Sequence, residues 1–187
     1  VYFGGGTPTT LSAPQLDRLM GELADHIDLS GCTEYTVEAG RPDTITAEKL
    51  AVLARRGCSR VSVNPQTMQD AVLERMGRAH RADDILRAYA LARESGIGCI
   101  NMDLIAGLPG DSAEGFRASL EQVLDLGPEN VTVHSLALKR SSFITQSGEI
   151  NKAHADAALA ARMMAYAEKR LTERGLEPYY LYRQSRM

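Results

Sequence analysis

The hydrophobic positions of this chain recur with two periods that alternate along the sequence. Short runs such as Val61-Ser62-Val63 are rich in β-branched residues with every second side chain apolar, which is typical of strands. Amphipathic segments precede these runs and end in a glycine, as 53–57 does, and the arrangement recurs before 100–102, 131–133 and 179–181. A glycine that ends a helix shortly before a strand is typical of the αβ connection in a parallel sheet.

This alternation predicts strands near 1–4, 34–39, 60–64, 99–106, 130–138 and 177–182, and a long helix near 152–174. Ser12, Thr67 and Asp111 are predicted to cap the helices that follow them. Strands that alternate with helices pair in parallel through right-handed crossovers. Because no proline- or serine-rich linker divides the chain, we expect one domain over 1–187.

The polar positions of the strands distinguish a barrel-like (β/α) fold from an open, doubly wound sheet. One face of four strands is polar, with the pairs Thr36 and Glu38, Ser62 and Asn64, Asn101 and Asp103, and Thr132 and His134. A carboxylate in a dry core is costly, so Glu38 and Asp103 should meet solvent or a polar ligand. We therefore predict an α/β fold, an incomplete (β/α) barrel whose curved parallel sheet has helices outside and a polar concave lumen.

The first segment predicts a small-molecule site. Val1-Tyr2-Phe3 reads as a strand, and the loop 4–8 that follows contains three glycines whose backbone a ligand can approach. A tight turn without a ligand is the structural alternative. Since the chain does not begin with Met and its first residue lies in a predicted strand, we expect a piece of a longer protein, truncated at both ends.

The first strand would then be an exposed apolar edge. We expect this edge to pair with a second copy of the chain, to be covered by the segment 179–183, or to cause aggregation.

Composition excludes several classes of protein. The chain has 187 residues, 44% of them hydrophobic, with a formal net charge of -3, so it lacks the basic character expected for binding nucleic acid. No apolar run approaches the roughly 18 residues that span a membrane. Cys32, Cys58 and Cys99 are odd in number and widely spaced, which favours reduced thiols in a cytoplasmic protein over disulfides or a metal site.

A series of motifs resembles the radical S-adenosylmethionine superfamily and, within it, the oxygen-independent coproporphyrinogen III oxidase-like enzymes. The matching segments are Tyr2-Phe3-Gly4-Gly5-Gly6-Thr7-Pro8-Thr9, Tyr35-Thr36-Val37-Glu38, Arg60-Val61-Ser62-Val63-Asn64-Pro65-Gln66, Leu73-Glu74-Arg75-Met76-Gly77-Arg78 and Asn101-Met102-Asp103-Leu104-Ile105-Ala106-Gly107-Leu108-Pro109-Gly110. They follow the family's order up to about residue 138. The segments 133–140 and 179–184 are similar to the coproporphyrinogen dehydrogenase branch.

The resemblance implies a partial TIM barrel that uses S-adenosylmethionine and a [4Fe-4S] cluster. Reductive cleavage of the cofactor yields a radical that removes hydrogen from a propionate of the porphyrinogen, which then loses carbon dioxide and becomes a vinyl group. The family's three clustered cysteines precede the glycine loop, so the cluster ligands would lie upstream of Val1. We therefore assign no catalytic or metal-binding residue and expect the chain alone to be inactive and to hold no cluster.

The resemblance also implies cofactor-binding residues in the first half of the chain. Gly5, Gly6 and Thr7 would offer main-chain oxygens and a hydroxyl to the ammonium group of the cofactor. Glu38 would accept hydrogen bonds from the ammonium or ribose groups. The structural alternatives are a glycine turn with no ligand and a solvated surface carboxylate.

Further cofactor-binding residues are implied along the chain. Arg78 would bind the methionyl carboxylate through a bidentate pair, with Gln66 adding a hydrogen bond. Asp103 would bind ribose hydroxyls, and the strand around Ala137 would offer backbone groups to adenine. The structural alternatives are a surface ion pair for Arg78, a structural partnership with Asn101 for Asp103, and simple packing for Ala137. The resemblance gives His134 no catalytic role, and a lone strand histidine is most often a hydrogen-bonded lining residue.

The implied partners are a porphyrinogen substrate and an electron donor, with neither nucleic acid nor membrane. Two other functions stay open. Haem chaperones share the fold and several motifs but carry haem, and a cluster-free relative would have no catalysis. Sequence outside 1–187 would separate these alternatives.

Overall fold

A computed structural model describes residues 1–136 and 150–179, without the side chains of 150–156. Its five strands form one parallel sheet in chain order. They are Tyr2–Phe3 (β1), Thr36–Gly40 (β2), Arg60–Gln66 (β3), Cys99–Ala106 (β4) and Asn130–Ser135 (β5). The predicted α/β fold is confirmed: a parallel sheet with helices outside forms an incomplete (β/α) barrel.

Six helices connect and cover these strands. They are Ala13–His26 (α1), Ala47–Arg55 (α2), Asp70–Arg75 (α3), Ala82–Glu94 (α4), Ala113–Leu126 (α5) and Ile150–Glu173 (α6) within the described residues. The capping box at Ser12 is present: its hydroxyl accepts a hydrogen bond from the backbone of Gln15, whose side chain accepts one from the backbone of Ser12. None of the described helices is long and apolar enough to cross a membrane.

Two helix starts differ from their prediction by one or two residues. The N-cap of α3 is Gln69, and Thr67 instead accepts a hydrogen bond from the backbone of Gln69 (3.3 Å). The N-cap of α5 is Ser112, whereas Asp111 accepts hydrogen bonds from the Ser112 backbone and from the Gln69 side chain. Short polar side chains in succession compete for the same backbone donors, so their local hydrogen bonds decide which one caps the helix.

The predicted sixth strand is not seen where the structure can test it. Residues 177–179 have no regular structure, and 180–182 lie outside the described residues. The fifth strand ends at Ser135, and 137–138, where it was predicted to end, also lie outside.

The apolar face of the sheet packs against the helices. Val37, Val61, Ile100 and Met102 have no exposed surface, and they belong to the main core cluster with Phe116 of α5. Burying side chains of this size stabilises the fold by about 1.5–3 kcal/mol each. The alternation in the strands therefore leaves the opposite face polar.

The carboxyl ends of all five strands lie at one edge of the sheet, where (β/α) folds place their sites. Two irregularities in strand pairing lie near this edge, between Glu38 and Gly40 on β2 and between Val63 and Gln66 on β3. Such bulges redirect side chains and are frequent beside active sites.

Candidate functional site

The polar face of the sheet carries two clusters of hydrogen bonds. The first is centred on Glu38, which accepts hydrogen bonds from the Tyr2 hydroxyl (3.2 Å) and from Asn64 Nδ2 (3.3 Å). These three side chains come from β1, β2 and β3. The carboxylate of Glu38 is therefore held by both neighbouring strands.

The second cluster is centred on Asn101 of β4. Its Nδ2 donates to Ser62 Oγ (3.1 Å) and Asp103 Oδ1 (2.6 Å), and its Oδ1 accepts from Thr132 Oγ1 (2.9 Å). His134 Nε2 lies 3.7 Å from Asp103 Oδ2. The polar face predicted on β2 to β5 is thus present, Tyr2 of β1 extends it, and Glu38 and Asp103 lie on the same side of the sheet.

The pKa shifts of Tyr2 and His134 agree with their positions beside Glu38 and Asp103. Burial raises the pKa of Tyr2, and the charges of Glu38 and Asp103 raise it further. The neighbouring Asp103 carboxylate raises the pKa of His134, and the charge of Glu38 adds to this. Two carboxylates against one histidine leave this end of the face acidic, which suits a cationic or hydroxyl-bearing ligand.

The glycine loop lies over the end of β2. A Cβ atom on Gly4 would lie 2.8 Å from Glu38 Oε2, and a Cβ on Gly40 would lie 3.5 Å from the Thr7 methyl group. A side chain at position 4 would therefore displace the Glu38 carboxylate or the Tyr2 ring. This contact brings the predicted ammonium-binding loop and Glu38 together.

The tip of the loop is open to a ligand. Nothing described lies within 4 Å of a Cβ built on Gly5 or Gly6, and Gly5 has φ +113°, which L side chains rarely adopt. The following turn is fixed, because buried Thr9 donates from Oγ1 to the carbonyl of Ala39 (2.7 Å). An anchored base and an exposed backbone suit the binding of a polar group.

Gln66 ends β3 with φ 66°, and among the described residues it is the one non-glycine with positive φ. It is half-buried, and no described residue accepts or donates a hydrogen bond to its side chain. Strained backbone of this kind clusters at functional sites. Its pairing with Leu104 places Gln66 beside the strand that carries Asp103.

Arg78 follows α3 and is not on a strand of the polar face. It lines a cleft of about 360 Å³ in the loop between α3 and α4, together with Arg41 and His80. No hydrogen bond or ion pair joins Arg78 to Glu38 or Asp103 within the part of the chain that the structure describes. Ala137 lies outside the described residues. A larger open groove of about 700 Å³ is lined by Val1, Tyr2 and 27–34. None of the predicted site residues lines this groove.

The family model described as "Radical SAM superfamily" matches residues 1–123, about two thirds of the chain. The chain belongs to the radical SAM superfamily.

Particular members of this superfamily are similar over most of the chain. The oxygen-independent coproporphyrinogen-III oxidase-like protein HemZ of Bacillus subtilis is 45% identical over 185 residues, which is 98% of this chain and 37% of that protein. The haem chaperone HemW of the same organism is 39% identical over 140 residues, 74% of this chain and 37% of that protein.

A solved structure agrees with this membership. The coproporphyrinogen III oxidase HemN from Escherichia coli superposes with a TM-score of 0.77 at 27% identity, covering 93% of this chain and 40% of that one. This radical SAM chain therefore spans about two fifths of the length of these relatives.

Radical SAM proteins use S-adenosylmethionine and a [4Fe-4S] cluster, and the described residues fit the first of these groups. The donor set on the polar face suits ammonium and ribose hydroxyls, and the backbone at Gly5 and Gly6 is open. Asn64 Oδ1 is buried with no described hydrogen-bond partner, beside Glu38. An orphaned buried acceptor of this kind is explained by a ligand or an ordered water.

The described residues do not fit the cluster. They contain no group of three or more His, Cys, Asp or Glu side chains that could hold a metal ion. Cys32, Cys58 and Cys99 lie at the amino-terminal side of β2, β3 and β4, away from the glycine loop. Burial raises the pKa of the Cys58 thiol to about 11, which disfavours the thiolate that a cluster requires.

Three residues at this edge were missed by the sequence reasoning. Tyr2 was interpreted only as a strand residue, although its hydroxyl holds Glu38. Arg41 and His80 share the cleft of Arg78. The position of Arg41, directly after β2, was a usable signal, because residues that follow barrel strands form the site in (β/α) folds.

Proposed function

We propose that the protein to which this chain belongs is a radical SAM enzyme of the coproporphyrinogen III dehydrogenase type. It would convert propionate side chains of a porphyrinogen into vinyl groups, each losing one hydrogen atom to the cofactor-derived radical, one electron to an electron acceptor, and carbon dioxide. The observation that carries the proposal is the acidic end of the polar face, where Glu38 lies against the glycine loop and Asp103 lies on the same side of the sheet. The similarity to HemZ along 98% of the chain supports it.

The residues of this chain would bind and orient the cofactor, which with its cluster supplies hydrogen-atom removal when bound. The loop Gly5–Thr7 and Glu38 would hold the ammonium group, because carbonyl and carboxylate oxygens accept its protons. Asp103 would bind ribose hydroxyls. Gln66 and Arg78 would hold the methionyl carboxylate, and the strand around Ala137 would meet adenine.

The partners follow from the same proposal. The protein would take a porphyrinogen and an electron donor, with no nucleic acid or membrane partner, and its unpaired cysteines agree with a cytoplasmic location. Within the described residues β1 pairs on one side only, and Tyr2 is 65% exposed. Pairing of this edge with a second copy remains part of the proposal.

Reductive cleavage of S-adenosylmethionine tests the cofactor assignment. The whole protein with a reconstituted cluster is expected to release methionine and to convert coproporphyrinogen into a vinyl-bearing product. Glu38→Gln should weaken cofactor binding about tenfold, since a hydrogen bond to a charged group contributes about 1.5–3 kcal/mol. The matched control is Asp25→Asn at an exposed position of α1, which should change neither binding nor turnover.

A haem chaperone is the second candidate, favoured by the 39% identity to HemW. Stoichiometric haem binding without decarboxylation would replace the proposed function with this one. Failure to bind either S-adenosylmethionine or haem would leave a non-catalytic relative and contradict both.

A further inference from the structure

The cleft between the end of β2 and the loop after α3 collects two guanidinium groups from different parts of the chain. Arg41 directly follows β2, Arg78 lies between α3 and α4, and both line the cleft of about 360 Å³. Two cations that share a cleft repel each other unless an anion offsets their charge. The arrangement therefore favours an anionic ligand.

The described partners offset only one of the two charges. Arg41 donates to both oxygens of Asp43, from Nε (3.1 Å) and from NH2 (2.7 Å). Arg78 forms no ion pair with any carboxylate that the structure describes. A free guanidinium beside a paired one leaves the cleft positive, and the fork of a guanidinium matches a carboxylate in two hydrogen bonds.

His80 adds a polar group that has no described partner. The side chain is 3% exposed, and its Nε2 atom is buried without a hydrogen bond inside the described part of the chain. Burial lowers the pKa of His80, Arg78 and Arg41 lower it further, and Asp43 and Asp84 raise it. A neutral imidazole adds no third charge to the cleft, and its buried Nε2 faces protein rather than the open cleft.

The cleft is close in sequence to the predicted ammonium site. Thr7 of the glycine loop lies against Gly40, and Arg41 is the next residue. The ammonium and carboxylate groups of an α-amino acid are bonded to the same carbon atom, so one protein must hold them at neighbouring sites. Arg41 lies where such a neighbouring site would begin.

We propose that this cleft is a two-arginine carboxylate site, in which Arg41 supplements Arg78 and His80 acts as a positioning residue for the loop that carries Arg78. The identity of the anion as the methionyl carboxylate of S-adenosylmethionine rests on the proposed function. The assignment of Arg41 and His80 goes beyond it.

Binding of two ligands to the whole, cluster-reconstituted protein tests this assignment by titration calorimetry. The ligands are S-adenosylmethionine and its decarboxylated form, which keeps the sulfonium and ammonium groups. Arg41→Gln should weaken S-adenosylmethionine about tenfold and the decarboxylated form less than about twofold. His80→Ala should weaken the first ligand about fivefold, and His80→Gln, whose amide can donate a hydrogen bond, should restore most of this loss.

Arg81→Gln is the matched control, because Arg81 lies in the same loop with its side chain 79% exposed and 3.8 Å from Asp70. It should change neither affinity. Equal weakening of both ligands, or no change in either, would overturn the proposal, as would His80→Gln matching His80→Ala. If His80→Ala does not fold, Arg41→Gln and His80→Gln decide the question. A wild-type protein that binds neither ligand would refute the proposed function itself.

Discussion

Replacement of Gln66 by glycine should make the chain more stable while weakening its cofactor binding. Gln66 has φ 66°, and the structure describes no hydrogen bond to its side chain. Its strained backbone is thus not offset by a visible contact. Where a protein keeps such strain, the side chain is expected to serve a ligand.

The magnitude follows from two opposing effects. A non-glycine residue in the left-handed region costs about 1–2 kcal/mol, and glycine loses about 0.5–1 kcal/mol through the greater freedom of its unfolded chain. The difference predicts that Gln66→Gly stabilises the chain by about 0.5–1 kcal/mol. Gln66→Ala keeps the strain and removes the same amide, so it should not stabilise.

Urea unfolding followed by circular dichroism measures the stability of the wild-type chain, Gln66→Gly and Gln66→Ala. The midpoint should rise for Gln66→Gly and stay level or fall for Gln66→Ala, with equal slopes. Both variants should bind S-adenosylmethionine more weakly in the whole protein. A Gln66→Gly chain no more stable than Gln66→Ala would refute the strain argument, and unchanged binding in both would remove Gln66 from the site.

Three further predictions concern titratable groups. Arg170 donates to both oxygens of Glu121 (2.7 and 2.8 Å) and holds the pKa of Glu121 down to about 2. The stabilisation by this ion pair is therefore present above pH 4.5 and lost as the pH falls towards 2. In Glu121→Gln the urea midpoint should depend less on pH over that range. Asp103→Asn should lower the pKa of His134 measured by NMR, because Asp103 raises this pKa in the wild type. The stabilisation of the wild-type fold by this pair is fully present below pH 6.5 and is lost as the pH rises through the raised pKa of His134. Cys58, 5% exposed with a pKa of about 11, should be the last thiol to react with a disulfide reagent at pH 8, and rapid modification in the folded chain would contradict its burial.

The sequence determined the fold through its periodicity. Alternation on the strands set an apolar face against a polar one, as in Val61 and Val63 against Ser62 and Asn64, and both sets lie as predicted. Glycines after amphipathic segments marked the crossovers, because only a short connection then leads to a parallel strand. These features involve residues that are close together in the sequence, so they can be recognised from the sequence alone.

The tertiary structure decided which side chains meet. The hydroxyl of Tyr2 reaches Glu38 across 36 positions in the sequence. Arg41 shares a cleft with Arg78 and His80 although α2, β3 and α3 lie between them in the sequence. The strain at Gln66 arises where the pairing between β3 and β4 shifts register. Composition and spacing could place each residue on its element, but contacts between elements depend on register and packing, which no local pattern records.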